Sequence, residues 1–308
     1  MGSLTDSLRT WRRAFKAALP YVRRREYEIL QRTHAELIEA VDGLATPAAQ
    51  ARLQTIKPIA AGLSGEVCLF VSFVARPHLK PHVAAHLEHL LAAGIHVVLI
   101  ANTDLAADDL RIDAQLQACL SGVLVRQNIG FDFGAWAHAW SLCVDRAPWS
   151  RLYLVNDSIV GPLNAAHFTR LLERVRSADA DVLGLTESLM PRRHLQSYFL
   201  VFNAKALRSE VLKGLMGRVL NWPSKSQVIE LYEARITALM EPQGLRCMAL
   251  FPSLWRDPRS SDDTSARWGE LVKAGFPYLK ARVIARHPND ERIREWLAAA
   301  HLDERAPS

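Results

Sequence analysis

The chain has 308 residues, of which 49% are hydrophobic and 23% charged, the composition of an ordinary globular protein. Its formal net charge of +6 arises entirely from residues 1–25, which contain seven Arg or Lys and the single acid Asp6, so the rest of the chain is balanced. This distribution argues against a protein that coats nucleic acid, because such proteins usually spread basic residues over a folded face.

The basic N-terminal segment has a helical period. Its apolar residues recur every three or four positions, at Leu4, Leu8, Trp11, Phe15, Leu19 and Val22. Most of the basic side chains fall outside this stripe, as in a helix that lies on an anionic membrane surface, where each basic group adds about 1 kcal/mol. The alternative is a helix docked on the body of the protein or on a partner. We expect residues 1–60 to form a helical arm with a break near 43–47.

Neither a secretory signal nor a membrane-spanning segment is expected. The N-terminus has no continuous apolar core followed by an A-x-A-like site, and no uncharged run reaches the roughly 20 apolar residues of a spanning helix. The sequence therefore predicts a cytoplasmic protein, associated peripherally with the inner face of the plasma membrane through residues 1–25.

The remainder of the chain alternates between short apolar runs and helical patterns. This order predicts an α/β fold with a mostly parallel sheet flanked by helices. We expect one domain over residues 65–287, followed by a C-terminal helix and tail over 288–308. The predicted strands cover 67–74, 95–101, 122–125, 151–155, 181–185 and 197–202.

Polar residues follow two of these strands. After 122–125 comes Asn128-Ile-Gly130-Phe-Asp132-Phe-Gly134, and after 151–155 comes Asn156-Asp157-Ser158. Ligands of open α/β sheets bind beyond the carboxyl ends of the strands, where carboxylates can hold a divalent cation or sugar hydroxyls. The alternative is that Asn, Asp and Gly only form turns here. Spacing alone leaves both interpretations open.

Several segments together resemble the motifs of the rhamnan synthesis protein F family. The resemblance covers roughly residues 65–285, with the motifs in the family's order. They are Asn128-x-Gly130-x-Asp132-x-Gly134-Ala-Trp136, Leu154-Val-Asn156-Asp157-Ser158-x-x-Gly161-Pro162, Gly184-Leu-Thr186-Glu187, His194-Leu-Gln196-Ser197-Tyr-Phe199, Val228-Ile-Glu-x-Tyr232-Glu233 and Phe276-Pro277-Tyr-Leu-Lys280.

The resemblance implies a GT-A-type, Rossmann-like glycosyltransferase of bacterial surface polysaccharide synthesis. Such an enzyme would transfer a hexose with inversion from a nucleotide sugar, dTDP-L-rhamnose being the first candidate. The acceptor would be a growing lipid-linked saccharide such as an O-antigen (lipopolysaccharide) or rhamnan chain, and polysaccharide-assembly proteins are possible partners. A noncatalytic alternative stays open: a GT-A-like domain that binds saccharide or organises an assembly complex.

The resemblance and the chemistry of the reaction together nominate donor-binding residues. The negative charge that develops on a nucleoside diphosphate leaving group is commonly neutralised by a divalent cation and basic side chains. Many GT-A enzymes hold that cation with a D-x-D motif, whereas this chain has Asn156-Asp157-Ser158, so we expect Mg²⁺ or Mn²⁺ on Asp157. The predicted donor-binding residues are Asn128, Gly130, Asp132, Asn156, Asp157, Ser158 and Lys280.

Inverting transfer also needs a base that deprotonates the acceptor hydroxyl. The candidates are Glu233, Glu187 and His194, and His194 and Gln196 are also expected to bind the acceptor. Glu233 falls in a predicted amphipathic helix and resembles the acidic helix position that serves as base in other GT-A enzymes. The alternative for Glu233 is a solvated carboxylate, or one paired with Arg235 or Lys225.

Weaker candidates have structural alternatives. Trp136 and Trp140 could stack on sugars, but their i, i+4 spacing favours a helix–sheet interface. Arg126 could face phosphates, or simply be solvated. Histidines spaced by three or four residues from 78 to 89 could form a basic or metal-binding helix face, and an ordinary exposed helix surface is the favoured interpretation.

Overall fold

A computed structural model of the chain describes residues 45–143, 146–190, 192–253 and 263–302. The residues from Thr46 onwards form one compact unit around a nine-stranded sheet. The strands are β1 (Thr46–Pro47), β2 (Leu53–Lys57), β3 (Gly65–Phe73), β4 (His96–Asn102), β5 (Gly122–Arg126), β6 (Trp149–Asn156), β7 (Ile159–Val160), β8 (Val182–Ser188), β9 (His194–Leu195), β10 (Phe199–Asn203), β11 (Leu220–Asn221), β12 (Cys247–Phe251) and β13 (Leu279–Lys280).

The helices alternate with the strands in the first half of this unit and dominate the second half. They are α1 (Pro81–Ala92), α2 (Ala114–Cys119), α3 (Phe131–Leu142), α4 (Ala165–Ser177), α5 (Ala204–Arg208), α6 (Glu210–Gly217), α7 (Lys225–Leu231), α8 (Ile236–Met240), α9 (Asp263–Ala266), α10 (Trp268–Lys273), α11 (Ala281–Arg286) and α12 (Glu291–Ala299).

The sheet is mixed, with the order β12-β8-β10-β6-β3-β4-β5-β2 and with β9 paired to β8. The four neighbours β6, β3, β4 and β5 are parallel, as expected, and β12 is parallel to β8. The expectation of a mostly parallel sheet is inexact at three strands: β10 runs antiparallel between β6 and β8, β2 runs antiparallel at the edge, and the short β9 pairs antiparallel with β8. Because β4 and β6 lie on opposite sides of β3, the chain order reverses there, which is where ligands of open α/β sheets bind.

The central strands are buried because they lie between other strands and under helices. Residues 67–71 of β3 are all apolar and essentially inaccessible, which is why this run reads as continuously hydrophobic. Helix α1 begins with Pro81 at its first turn, where no backbone donor is lost, and is followed by Gly94 with φ of 79°.

The histidines of α1 differ from the expected exposed surface. His82 and His86 are buried, and the Tyr278 hydroxyl lies 2.9 Å from Nε2 of His86. Burial, reinforced by the neighbouring histidines, lowers the pKa of His86 to about 3, so it is neutral at physiological pH. These side chains therefore pack in the core beside Phe70 rather than forming a basic or metal-binding face.

Helix α3 is buried on almost every side, because it carries apolar or small residues all round. Trp136 is fully buried, and its Nε1 donates a hydrogen bond to the carbonyl of Leu69 at 3.0 Å. Trp140 packs edge-to-face on Trp149. The predicted helix–sheet role of Trp136 and Trp140 is confirmed, and the helix places Asp132 in its first turn at the edge of the sheet.

The start of α3 is fixed by a buried arginine at the end of β5. Arg126 is inaccessible to solvent, so the expectation that it is solvated or faces phosphates is wrong. Its guanidinium donates to the carbonyl of Ile129 and to Oδ1 of Asn221, both at 2.5 Å, and to two further carbonyls. A Cβ on Gly130 would lie 2.3 Å from that Asn221 oxygen, and one on Gly134 would lie 2.8 Å from it. The motif glycines therefore give Asn221 and Arg126 room to pack against the helix.

The structure describes only part of the predicted N-terminal arm, but it describes the predicted C-terminal helix. Residues 1–44 lie outside the described residues, so the amphipathic helix of residues 1–25 stays a prediction. Within the predicted arm, residues 46–60 form two strands and a three-residue 3₁₀ turn, Ala48–Gln50, in place of an α-helix: β1 pairs with β11 and β2 with β5. At the other end, α12 buries Ile293 and Leu297 in a cluster with Trp268 of α10. Among the described residues, no helix is long and apolar enough to cross a membrane.

Gly130→Ala should destabilise the protein by roughly 1–3 kcal/mol more than Gly62→Ala, because it adds overpacking to a positive-φ penalty. Both glycines have φ near 70°, but a Cβ on Gly62 meets nothing within 4 Å. Urea denaturation of the two variants measures the difference. Equal midpoints and slopes would show that the contact with Asn221 does not constrain position 130.

Candidate active site

A polar cleft of about 430 Å³ lies at the carboxyl ends of β6 and β8. Five of the six family-like motifs contribute residues to it, together with the start of α7. Its walls are formed by Asp132, Asn156, Ser158, Ser188, Met190, His194, Gln196, Ser197, Tyr198, Lys225, Ile229, Glu233, Lys280, Ala281 and Arg282.

Main-chain pairing brings the last motif to the cleft. Strand β13 pairs antiparallel with β7, which places Lys280 opposite Ile159. The amide of Ala281 also donates to the carbonyl of Ser158 at 2.9 Å, and the amide of Leu163 donates to the carbonyl of Pro277 at 2.8 Å. These backbone contacts set the spacing between Lys280 and the end of β6.

A hydrogen-bonded chain orients Asp132 on one wall. Nδ2 of Asn156 donates to Oδ2 of Asp132 at 2.8 Å, and Oδ1 of Asn156 accepts from both the amide and the hydroxyl of Ser158. Burial, followed by the negative charge of Asp157, raises the pKa of Asp132 to about 6. Within the described residues, Oδ1 of Asp132 has no protein partner, so it can accept a hydrogen bond from a hydroxyl in the cleft.

Glu233 is held on the opposite wall by two side chains. Its Oε2 accepts from the Ser197 hydroxyl at 2.7 Å, and its Oε1 lies 3.6 Å from Nε2 of His194. Burial opposes its charge, but the nearby imidazole of His194, the hydrogen bond from Ser197 and the charge of Lys280 outweigh that cost and lower the pKa of Glu233. The carboxylate is therefore ionised at neutral pH.

Two expectations about Glu233 need correction. Helix α7 ends at Leu231, and Glu233 begins a short 3₁₀ turn, Glu233–Arg235, instead of lying inside a helix. The carboxylate is also neither solvated nor paired with Arg235, because it points into the cleft toward Ser197 and His194. The irregular turn is what aims it there.

His194 and Gln196 lie beside Glu233. Nδ1 of His194 lies 2.8 Å from the carbonyl of Arg192 and must donate to it, because a carbonyl only accepts. Oε1 of Gln196 accepts from the Thr186 hydroxyl at 2.6 Å, which leaves its amide nitrogen as a donor for the cleft. Both residues fit the predicted contacts with an acceptor sugar.

Basic side chains line the remaining wall. Nζ of Lys280 lies 3.7 Å from the centre of the Tyr198 ring, a cation–π contact. Removal of water from its ammonium, partly offset by the charge of Glu233 and reinforced by that of Lys225, lowers the pKa of Lys280 to about 7. Lys225 and Arg282 line the same cleft.

Asp157 faces a different set of partners. Its Oδ2 accepts from the Ser72 hydroxyl at 2.9 Å, the Phe73 amide at 3.0 Å and Nζ of Lys80 at 2.8 Å. Across the described ranges, no three His, Cys, Asp or Glu side chains are grouped so that they could hold a metal ion. These contacts fit an ion pair and not a preformed metal centre, so the predicted cation on Asp157 stays a prediction and no chemical step is derived through it.

Three further predicted residues lie away from the cleft. The Glu187 carboxylate accepts from Nε of Arg193 at 2.8 Å and from the amide of Ser253 at 3.1 Å. Asn128 is exposed in the loop before α3, and Gly130 packs on Asn221. The cleft thus gathers seven of the predicted residues: Asp132, Asn156, Ser158, His194, Gln196, Glu233 and Lys280.

Some cleft residues had little or no sequence signal. Ser197 and Tyr198 stand inside a quoted motif, but nothing there indicated that Ser197 would bind Glu233 or that Tyr198 would carry Lys280. Lys225 looked like an ordinary exposed residue at the start of a helix. Lys80, the partner of Asp157, lies in the loop after β3, where no pattern marks it.

A family model described as rhamnan synthesis protein F matches residues 97–302, a range that contains every residue lining the cleft. The chain belongs to the rhamnan synthesis protein F family. The family resemblance found in the sequence is confirmed, and it links this protein to polysaccharide synthesis.

Curated relatives of this family member are distant. The "Uncharacterized protein y4gN" of Sinorhizobium fredii (strain NBRC 101917 / NGR234) is 27% identical over 54% of this chain and 43% of its own length. The virulence protein VirA of Vibrio anguillarum (strain ATCC 68554 / 775) is 26% identical over 53% of this chain and 62% of its own length. The chain therefore spans about half the length of the curated relatives it matches.

Lys280 should titrate near pH 7. Reductive methylation with ¹³C labels the lysines, and the methyl signal of Lys280 is the one that is absent from Lys280→Arg. The chemical shift of this signal should change with pH with a midpoint of about 7, because the walls that contain Glu233, Asp132 and Lys225 exclude water. Between pH 7 and 10.5 the folded protein then binds fewer protons at Lys280 than the unfolded chain, so this group's contribution to the unfolding free energy rises with pH. A midpoint near 10 would contradict the desolvation.

Proposed function

We propose that this protein is a glycosyltransferase that transfers a hexose, with inversion, from a nucleotide sugar to a growing lipid-linked surface polysaccharide. The donor proposed first is dTDP-L-rhamnose, and the acceptor an O-antigen or rhamnan chain. The observation that carries the proposal is the position of Glu233: an ionised carboxylate, fixed by Ser197 and His194, in a cleft that also contains hydroxyl-binding and cationic side chains.

Glu233 is the proposed base. Its Oε1 is 3.6 Å from His194, which leaves that oxygen able to accept the proton of an acceptor hydroxyl. As that proton moves to Glu233, the acceptor oxygen forms a bond to the anomeric carbon. The bond from that carbon to the diphosphate oxygen breaks on the opposite face, and the electron pair leaves with the nucleoside diphosphate. Inversion at the anomeric carbon follows from this single displacement.

The remaining cleft residues have complementary roles in this proposal. Asp132, oriented by Asn156 and Ser158, accepts hydrogen bonds from donor sugar hydroxyls. Gln196 and His194 bind the acceptor next to the base. Lys280 stabilises the negative charge that develops on the leaving diphosphate, where fixed charges act without reorganisation of solvent.

Membrane association belongs to the same proposal. A lipid-linked acceptor is confined to a membrane surface, and the basic, periodically apolar residues 1–25 have the composition of a surface-binding helix. We propose that the protein acts at the inner face of the plasma membrane and that polysaccharide-assembly proteins are its partners there.

A noncatalytic saccharide-binding or assembly role is the second candidate. The Lys80–Asp157 ion pair favours it, because the carboxylate expected to bind a metal already has a cationic partner. The two candidates differ in one measurement. A noncatalytic protein would bind saccharide without binding any nucleoside diphosphate and without hydrolysing or transferring from a nucleotide sugar.

Glu233→Gln should reduce turnover by about 10²-fold or more, since it removes a general base worth roughly 10²–10⁴-fold. Glu187→Gln is the matched control. It makes the same chemical change to a carboxylate bound by Arg193 and Ser253 outside the cleft, and should keep near-normal turnover.

Both variants are assayed for nucleoside diphosphate release from a panel of nucleotide sugars, with thermal unfolding as the check on folding. The nucleotide sugar that raises the unfolding temperature most identifies the nucleobase and the sugar of the donor. Near-normal turnover of folded Glu233→Gln would remove Glu233 as the base.

Deletion of residues 1–25 should weaken binding to anionic liposomes while sparing donor binding. The deletion removes seven basic side chains, which are attracted to anionic lipid headgroups, and the apolar stripe, which is buried at the boundary of the acyl chains. Co-sedimentation with vesicles of phosphatidylglycerol and phosphatidylethanolamine measures this. Equal sedimentation of the full and shortened proteins would overturn the membrane role of this segment.

A further inference from the structure

Three basic side chains line the cleft that also contains the hydrogen-bonded pair Asp132 and Asn156. Lys225 enters from the start of α7, and Lys280 and Arg282 enter from β13 and the start of α11. Arg282 is anchored through a 2.7 Å hydrogen bond from its Nε to the Ser265 hydroxyl. Basic groups from two separate parts of the chain therefore surround one space large enough for a ligand.

We infer that Lys280, with Lys225 and Arg282, binds the diphosphate of the donor directly, so that binding and transfer require no divalent metal ion. This inference rests on the proposed function and adds to it the means by which the leaving group is neutralised.

Asp157, the carboxylate that stands where many GT-A enzymes have their D-x-D motif, already has a cationic partner. Asp157 Oδ2 accepts three hydrogen bonds, one of them from the ammonium of Lys80 at 2.8 Å. A divalent ion on this side chain would have to compete with Lys80 or bind the one remaining oxygen. Mg²⁺ binds through one or two carboxylates where substrate phosphates complete the shell, but a lysine bound to the same carboxylate opposes a second cation.

Lys280 is held at a fixed position in the cleft. Main-chain pairing of β13 with β7 fixes its position along the cleft, and the Tyr198 ring lies 3.7 Å beneath its ammonium. Tyr198 is itself held, because its hydroxyl lies 2.5 Å from the Thr186 hydroxyl. An ammonium that has lost water and has no carboxylate at salt-bridge distance within the described residues gains more from a bound anion than a solvated lysine does.

The cleft carries more positive than negative charge. Its three basic side chains face two carboxylates, Asp132 and Glu233, which lie toward the sugar-binding side in the proposed function. Asp132 is held by Asn156 and Glu233 by Ser197, so neither is bound to a lysine or arginine through a hydrogen bond in the described parts of the chain. A diphosphate can therefore approach Lys280 without displacing a salt bridge between Lys280 and Asp132 or Glu233.

The test measures binding of dTDP, UDP and GDP to the full-length protein by isothermal titration calorimetry, in EDTA and in Mg²⁺ or Mn²⁺. The nucleotide that binds should show a dissociation constant that changes by less than about threefold between the two conditions, well under the tenfold that corresponds to about 1.4 kcal/mol. Transfer or hydrolysis of the matching nucleotide sugar should persist in EDTA.

Lys280→Met should weaken binding of that nucleotide by roughly tenfold or more, because it removes a charge-assisted contact. Lys273→Met is the matched control, since Lys273 is exposed at the end of α10 and does not line the cleft. Lys280→Arg, which keeps the positive charge, should bind more tightly than Lys280→Met, and thermal unfolding checks that each variant is folded.

The outcomes are distinct. Binding that is lost in EDTA and restored by Mg²⁺ or Mn²⁺ would overturn the metal-free site while supporting the proposed function. Unchanged binding by folded Lys280→Met would overturn the role of Lys280. No binding of any nucleoside diphosphate under either condition would instead overturn the proposed function itself. The comparison in EDTA uses the unaltered protein, so it decides the metal question even if a Lys280 variant fails to fold.

Discussion

A buried guanidinium must have a fixed acceptor for its donors, because the cost of removing a charge from water is recovered only through such contacts. Arg126 meets this requirement at its two terminal nitrogens, with main-chain carbonyls before α3 and with the amide oxygen of Asn221, while its Nε has no partner in the described part of the chain. The same contact positions the first turn of α3 and therefore Asp132. Gly130 and Gly134 are part of this arrangement because any side chain there would occupy the space of Asn221. One wall of the cleft thus depends on an interaction that no ligand touches.

The strand positions could be read from the sequence because buried strands are continuous apolar runs, and nearly every predicted run lies in the sheet. Strand direction could not. β10 has the same apolar character as β6 but reverses because of the short β9 segment and turn that precede it. Residues 46–60 were assigned to a helical arm by continuity with the preceding pattern, whereas β2 satisfies the open edge of β5. Such pairing depends on what lies beside the segment in space.

Most residues of the cleft could be predicted from the sequence because they stand in the family-like motifs. The role of each residue within its motif could not be predicted. Asp132, Glu233 and Lys280 were all nominated, and the cleft brings them together. The same criterion nominated Glu187, whose carboxylate instead binds Arg193. For the histidines of α1, polarity suggested exposure, yet His82 and His86 flank the buried Val83 and Leu87 on the inner face of the helix. Whether such a polar side chain is buried, paired or directed into the cleft depends on contacts with residues that are distant in the sequence.

The pairing of β7 with β13 has an evolutionary consequence. It joins the segment after Ser158 to the segment that carries Lys280 entirely through main-chain atoms. Main-chain hydrogen bonds can form at residues with most types of side chain. Substitutions in these two segments can therefore change which ligand the cleft accepts while its width is preserved. The lining of the cleft can therefore diverge among members of the family while the main-chain frame that carries it persists.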